Sequence, residues 1–390
     1  MPYYRSVGEI PRKRHVQFRR PDGGLYAEEL MGQEGFSSVS ALLYHRHLPT
    51  AIVAAQAWTS RPQDAVANHP LLPRHVRAHK LDPGAGADAV TGRQLLFSNA
   101  DVAMSYVAAT ATSPLYRNAV GDEVLYVESG HGSIETVFGV LEATPGDYVV
   151  LPTSTTYRVV PAVTDPLRLL VVEASGHVGP PARYLSKQGQ FLEHSPFCER
   201  DLRGPTEPLL VDATDVEVIV RQRQGYTRYT YAHHPFDVVG WDGAQYPYAL
   251  SIHDFEPITG RLHQPPTVHQ TFAGPSFVIC SFVPRLFDYH PDSIPAPYNH
   301  ANVDSDEVLF YCGGDFMSRK GAGIEQGSLT LHPSGFTHGP QPGSVEASIG
   351  RLATDELAVM VDTFRPLDLG PAALEAEDTQ YPWTWSGRTL

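Results

Sequence analysis

The chain has 390 residues, of which 42% are hydrophobic and only 18% charged. That balance belongs to a globular protein with ample material for a core and excludes a disordered chain. Twenty-nine basic against 43 acidic residues leave a net charge of −14, which argues against a nucleic-acid coat or an anionic membrane surface as partner.

Thirty-three Gly and 34 Pro, spread through the chain, predict many short strands joined by turns. The opening MPYYRSVGEIPRKRH carries basic residues with no apolar run behind them, so no signal peptide is read there. Ala27 to Met31 is predicted as a short helix. Strands follow at VLYV (124–127), YVVLP (148–152) and LRLLVVEA (167–174), β-branched or aromatic runs bounded by turn residues. A polar, Pro-rich stretch near 179–208 reads as a linker. Strands resume at EVIV (217–220), SFVICSFVP (276–284), EVLFY (307–311) and LAVMVDTF (357–364), with a second short helix at Pro371 to Ala376. The longest apolar runs are strand-sized and too short to span a bilayer. Cys198, Cys280 and Cys312 are odd in number and form no C-x-x-C pair, so a disulfide framework is not expected and a reducing cytoplasm is.

An internal repeat organises the chain. YRNAVGDEVLYV (116–127) lies over HANVDSDEVLFY (300–311) without a gap. Glu123 and Glu307 are each followed seven residues later by glycine, Gly130 and Gly314. Gly146, Pro152, Ser154 and Tyr157 then match Gly327, Pro333, Gly335 and His338 at identical spacing. The prediction is an all-β protein of two duplicated domains, residues 1–180 and 209–390, joined by 181–208.

The copies disagree at residues a metal would use. Tyr116 becomes His300 and Tyr157 becomes His338, while the carboxylate persists. Two imidazoles and a carboxylate are the ligands of a facial triad, a set that suits Fe(II) and leaves positions open. The pairs His45 with His47 and His233 with His234 lack a carboxylate at matching spacing and are read as packing. No G-x-S-x-G, phosphate loop or dinucleotide fingerprint occurs.

The second-half pattern, H-x-N-x4-E-x6-G and then G-x5-P-x-G-x2-H, resembles the paired motifs of the cupin superfamily, whose fold is a small antiparallel barrel or jelly roll. PYNHANVDSDE, SLTLHPSGFTHGP and HPFDVVGWDG (234–243) narrow the resemblance to the homogentisate 1,2-dioxygenase family of bicupin ring-cleaving enzymes. GLYAEEL (24–30) and LAVMVDTFRPL (357–367) resemble that family more loosely.

The resemblance implies metal ligands at His300, Glu307 and His338. The family's own spacing would select Asp306, and the repeat selects Glu307. It further implies an acid/base histidine at His263, with His269 as the alternative, and substrate contacts from Tyr298, His332 and Phe316. Ala301 stands where the family has arginine, and Phe316 where it has tyrosine, so a substrate related to homogentisate is as compatible as homogentisate itself.

The implied activity is Fe(II)-dependent ring cleavage of a hydroquinone with both atoms of O2 incorporated, in tyrosine- or phenylalanine-type aromatic catabolism. The base would remove a phenolic proton, a task for an imidazole that titrates near neutral pH. A homo-oligomer, trimer or hexamer, is implied by the same resemblance. Two other readings share the fold: a metal-dependent isomerase or decarboxylase, and a non-catalytic ligand-binding bicupin.

Overall fold

The computed structural model describes residues 3–58, 64–223, 225–316, 319 and 322–386. Strands make up 41% of the chain, and the two α-helices among the described residues, Ser344–Ser348 and Pro371–Glu375, have five residues each. The architecture is all-β, built from five antiparallel or mixed sheets among the described residues. Each predicted strand appears, including Glu123–Ser129, Leu167–Ala174, Asp306–Gly313 and Leu357–Thr363.

One helix expectation is overturned. Ala27–Gly32 is a strand, paired antiparallel over its whole length with Ser40–His45. Ala, Glu, Leu and Met are good helix formers, but six residues are too few to sustain a helix against a full ladder of cross-strand bonds.

The large sheets stack in three layers. A seven-stranded sheet, running from Gly139–Ala143 to Ile52–Trp58, faces an eight-stranded sheet containing Glu123–Ser129, Asp147–Leu151 and Leu167–Ala174. Between them lies an apolar core that includes Leu125, Val127, Ile134, Val149, Val159 and Leu169. The other face of the eight-stranded sheet packs on a six-stranded sheet of the second half, through Tyr106, Tyr126 and Tyr148 against Phe310 and Phe272. Alternation therefore splits one strand between two cores, with Leu125 and Val127 on one side and Val124 and Tyr126 on the other.

Strands cross between the two sequence halves. Tyr248–Ser251 completes the eight-stranded sheet beside Asp147–Leu151, and Arg74–Val76 extends the six-stranded sheet beside Leu329–His332. The 181–208 stretch forms no strand, yet it sends Tyr184, Phe191, Phe197 and Leu202 into the core. No helix among the described residues is long and apolar enough to cross a membrane, a statement that does not address strand-built spans.

The repeated glycines have a shared cause. Gly130 and Gly314 adopt φ of 79° and 80°, and a Cβ at either would collide with a neighbouring carbonyl, that of Pro166 or Asp355.

Candidate metal centre

The outer face of the six-stranded sheet carries the site. Glu307, Leu309 and Tyr311 alternate onto this face, while Val308 and Phe310 point into the interlayer core. Opposite Glu307 across the neighbouring strands stand His332 on one side and Asp362 on the other.

His300 and His338 come from loops, and they meet in an isolated antiparallel bridge closed by His300 N–H to His338 O at 2.8 Å and the reverse bond at 2.9 Å. Their rings lie 4.3 Å apart. The Nδ1–H of His300 donates to the carbonyl of Tyr298 at 3.2 Å, and that of His338 to the carbonyl of Phe336 at 3.3 Å. Each ring is thereby fixed with its Nε2 turned toward Glu307. His300 Nε2 lies 3.6 Å from Glu307 Oε2, and His338 Nε2 lies 3.3 Å from Glu307 Oε1.

These residues fit a metal ion. One ligand atom from each of the three lies within 4.8 Å of the others. Adjacent ligands around an ion with bonds of ~2.1 Å stand about 3 Å apart, so the two carboxylate–imidazole separations need little change. Two buried atoms at the site lack a hydrogen-bond partner, His338 Nε2 and Asp362 Oδ1, as donors awaiting a cation would. Burial, then the charge of Glu307, pushes the Asp362 carboxyl up to about 8. Burial would raise Glu307 as well, but hydrogen bonds from the surrounding histidines hold it well below the usual carboxylate range. The His300 side chain keeps a third of its surface exposed, so the site opens on that side.

Asp306 has a different role. As Glu307's neighbour in the strand it faces the opposite way, and its two oxygens accept the backbone N–H of Ser334 and Leu367, each at 2.8 Å. Its repeat partner Asp122 does the same for Thr153 at 2.7 Å and Val178 at 2.8 Å. In the geometry, Glu307 and not Asp306 joins the two histidines.

His332 does not reach open space, contrary to its expected place against substrate. It is fully buried, with Nδ1–H donating to Glu307 Oε1 at 2.8 Å and Nε2 accepting the Tyr381 hydroxyl at 2.9 Å. Burial pulls its pKa down to about 3, which leaves the neutral ring this pairing requires. Sequence reasoning missed Tyr381, which arrives from the C-terminal turn Tyr381–Ser386, and Asp362, which only strand register places beside Glu307.

Of the remaining residues, Tyr298 is exposed and lies between His263 and His300, with ring centroids 5.2 and 6.3 Å away. The half-exposed His263 is held by Asp288, 3.2 Å from its Nδ1. His269 packs against Phe282 at 4.6 Å, and burial with the nearby Arg285 and His263 drives its pKa down to about 3. Phe316 sits on Tyr311 in a small apolar group on the same face as Glu307.

The paired histidines near the N-terminus also converge on carboxylates. His45 bonds Asp237 at 2.6 Å and Glu29 at 2.9 Å, His47 takes the other oxygen of Asp237 at 3.1 Å, and His47 stacks on His233 at 3.8 Å. The partners lie 16 and 192 residues from His45, which is why local spacing did not show them.

Known proteins resemble the chain along most of its length. A family described as homogentisate 1,2-dioxygenase N-terminal matches residues 7–252. A protein of Saccharolobus solfataricus that carries a provisional dioxygenase name is 40% identical over 396 residues, covering 99% of each chain. The homogentisate 1,2-dioxygenase of Bradyrhizobium diazoefficiens is 27% identical over 291 residues, which span 70% of this chain and 62% of that protein. Among solved structures, a cupin 2 conserved barrel domain protein from Leptotrichia buccalis covers 77% of this chain at 10% identity and a TM-score of 0.34.

Proposed function

Because the chain belongs to the homogentisate 1,2-dioxygenase family of cupin proteins, we propose that it is an Fe(II)-dependent ring-cleaving dioxygenase for homogentisate or a related hydroquinone. The observation that carries the reading is the convergence of His300, Glu307 and His338 on a point open to one side. Two nitrogens and a carboxylate suit Fe(II), which when bound supplies the electron transfer between aromatic ring and dioxygen that carbon–carbon cleavage needs.

The chain's own residues have defined tasks in this reading. His300 and His338 present Nε2, and Glu307 presents a carboxylate held ionised. His263 stands at the open side with Asp288 on its Nδ1, which leaves Nε2 to take a phenolic proton from the substrate and return it later. Tyr298, between His263 and the ligand His300, forms a wall for the ring. The family relation also leads us to expect a homo-oligomer in the cytoplasm. The strand Ile52–Trp58, an exposed and uncharged sheet edge, supports the oligomer, whose mass light scattering would measure.

The test is anaerobic loading with Fe(II), followed by oxygen uptake with homogentisate, gentisate and other substituted 1,4-dihydroxybenzenes. Uptake coupled to ring opening is expected, and its absence with every compound would overturn the reading. Turnover without oxygen consumption would point instead to a metal-dependent isomerase or decarboxylase. His263→Ala is expected to lower kcat by about 10²–10⁴-fold with iron content unchanged.

A further inference from the structure

The facing seven- and eight-stranded sheets (the first barrel) repeat the geometry of the metal centre on the six-stranded sheet (the second barrel), with different occupants. Tyr116 pairs with Tyr157 across antiparallel strands, as His300 bridges His338. Glu123 stands opposite Glu173, as Glu307 stands opposite Asp362. Into the middle reaches Arg93, which lies just before the strand Gln94–Ser98.

Its guanidinium contacts the groups a cation there would contact. Nη1 lies 2.7 Å from Glu123 Oε1 and 2.9 Å from Glu173 Oε1, and Nη2 donates to the Tyr157 hydroxyl at 2.9 Å. That hydroxyl in turn donates to Glu123 Oε2 at 2.6 Å. The charge centre sits 5.4 Å from the Tyr116 ring, and Nε is tied to the Ala89 carbonyl at 2.9 Å. Arg221 adds a second guanidinium, 2.7 Å from Glu173 Oε1.

The charges balance in a way the second barrel does not match. Two carboxylates in the first barrel meet two guanidinium groups, and of the four only Arg221 is more than slightly exposed. In the second barrel no Arg or Lys among the described residues lies within ion-pair distance of Glu307 or Asp362. Two buried carboxylates both ionise only where positive charge stands beside them. The first barrel takes it from guanidinium groups paired directly with the carboxylates. In the second the buried Arg319 is bonded to the Tyr311 hydroxyl and the Gly339 carbonyl and to neither carboxylate, which leaves room for a divalent ion.

We propose that the first barrel is a cation site whose permanent occupant is the Arg93 guanidinium, so that the chain holds its single metal in the second barrel. Without Arg93 the site offers Glu123, Glu173, Tyr157 and the unpartnered hydroxyl of Tyr116. That all-oxygen donor set selects a hard cation or free guanidinium and has no use for a nitrogen-seeking ion.

Arg93→Ala tests this independently of catalysis. Its thermal midpoint should fall well below that of the wild type and recover in millimolar guanidinium or terbium(III), additions that leave the wild type unmoved. Terbium emission sensitised by tyrosine should rise by one site per chain over the wild type. A variant as stable as the wild type, or one that gains from neither cation, would overturn the proposal. Should Arg93→Ala fail to accumulate folded, a cobalt(II) titration of the wild type decides. Saturation at one ion per chain supports the proposal, and saturation at two refutes it. Neither readout depends on dioxygenase activity, so a failed oxygen-uptake assay leaves both outcomes readable.

Discussion

Adjacent residues in one strand divide the labour at the centre of the second barrel. Glu307 faces the histidines, and Asp306 faces inward to hold two backbone N–H groups. Two substitutions separate these roles. Glu307→Gln should cost the bound metal and change the metal-free stability little. Asp306→Ala should cost roughly 3 kcal/mol or more, because two charge-assisted hydrogen bonds are lost from a buried position. Metal analysis and urea unfolding of both variants check this, and metal loss confined to Asp306→Ala would reverse the assignment. One residue further out, Tyr381→Phe removes the hydroxyl that fixes His332 and through it Glu307. Metal affinity should fall by about 10- to 100-fold while the fold survives, as a competition titration with a chelator would show.

At the scale of elements, His45 ties three pieces of chain together. It ends the strand Ser40–His45, reaches Glu29 in the strand Ala27–Gly32, and holds Asp237 just before Val238–Gly243. Burial lowers its pKa, but the hydrogen bonds it donates to Asp237 and Glu29 more than reverse this and raise it from 6.5 to about 9. A group whose folded pKa lies above its unfolded value contributes stability that is complete below about 6.5 and fades as pH rises through about 9. The shift corresponds to something on the order of 3 kcal/mol. His45→Gln should therefore be most destabilising near neutral pH, and the gap to the wild type should close by pH ~9.5. Thermal unfolding followed across pH 6 to 10 measures it, and a gap that widens with pH would contradict the assignment. The same contact explains why a run of good helix formers became a strand, since an extended Ala27–Gly32 brings the Glu29 carboxylate within reach of the histidine.

For the whole molecule the eight-stranded sheet is the shared element, apolar on both faces and packed between two cores. Phe310 of the second half inserts against Tyr106 and Tyr126 of the first at 6.3 and 6.1 Å between ring centroids, with no exposed surface. Phe310→Ala should cost about 3–5 kcal/mol. The loss should appear as one transition common to fluorescence and far-UV circular dichroism, because neither core keeps its wall when the sheet opens. Two separated transitions would show instead that the halves unfold independently.

The β character, the repeat and the trio His300, Glu307 and His338 were all legible along the chain. Strand periodicity, turn glycines and histidine substitutions between copies are local patterns, and His300, Glu307 and His338 lie within 39 residues of one another. Their convergence needs only one hairpin-like return of the chain. What tertiary structure alone decided was everything set by register between distant strands. Asp362 beside Glu307, Tyr381 behind His332, carboxylates on His45, and Arg93 inside the first barrel each depend on which strand pairs with which. Side-chain chemistry repeats along a chain, but cross-strand neighbours are chosen by packing, and packing belongs to the folded whole.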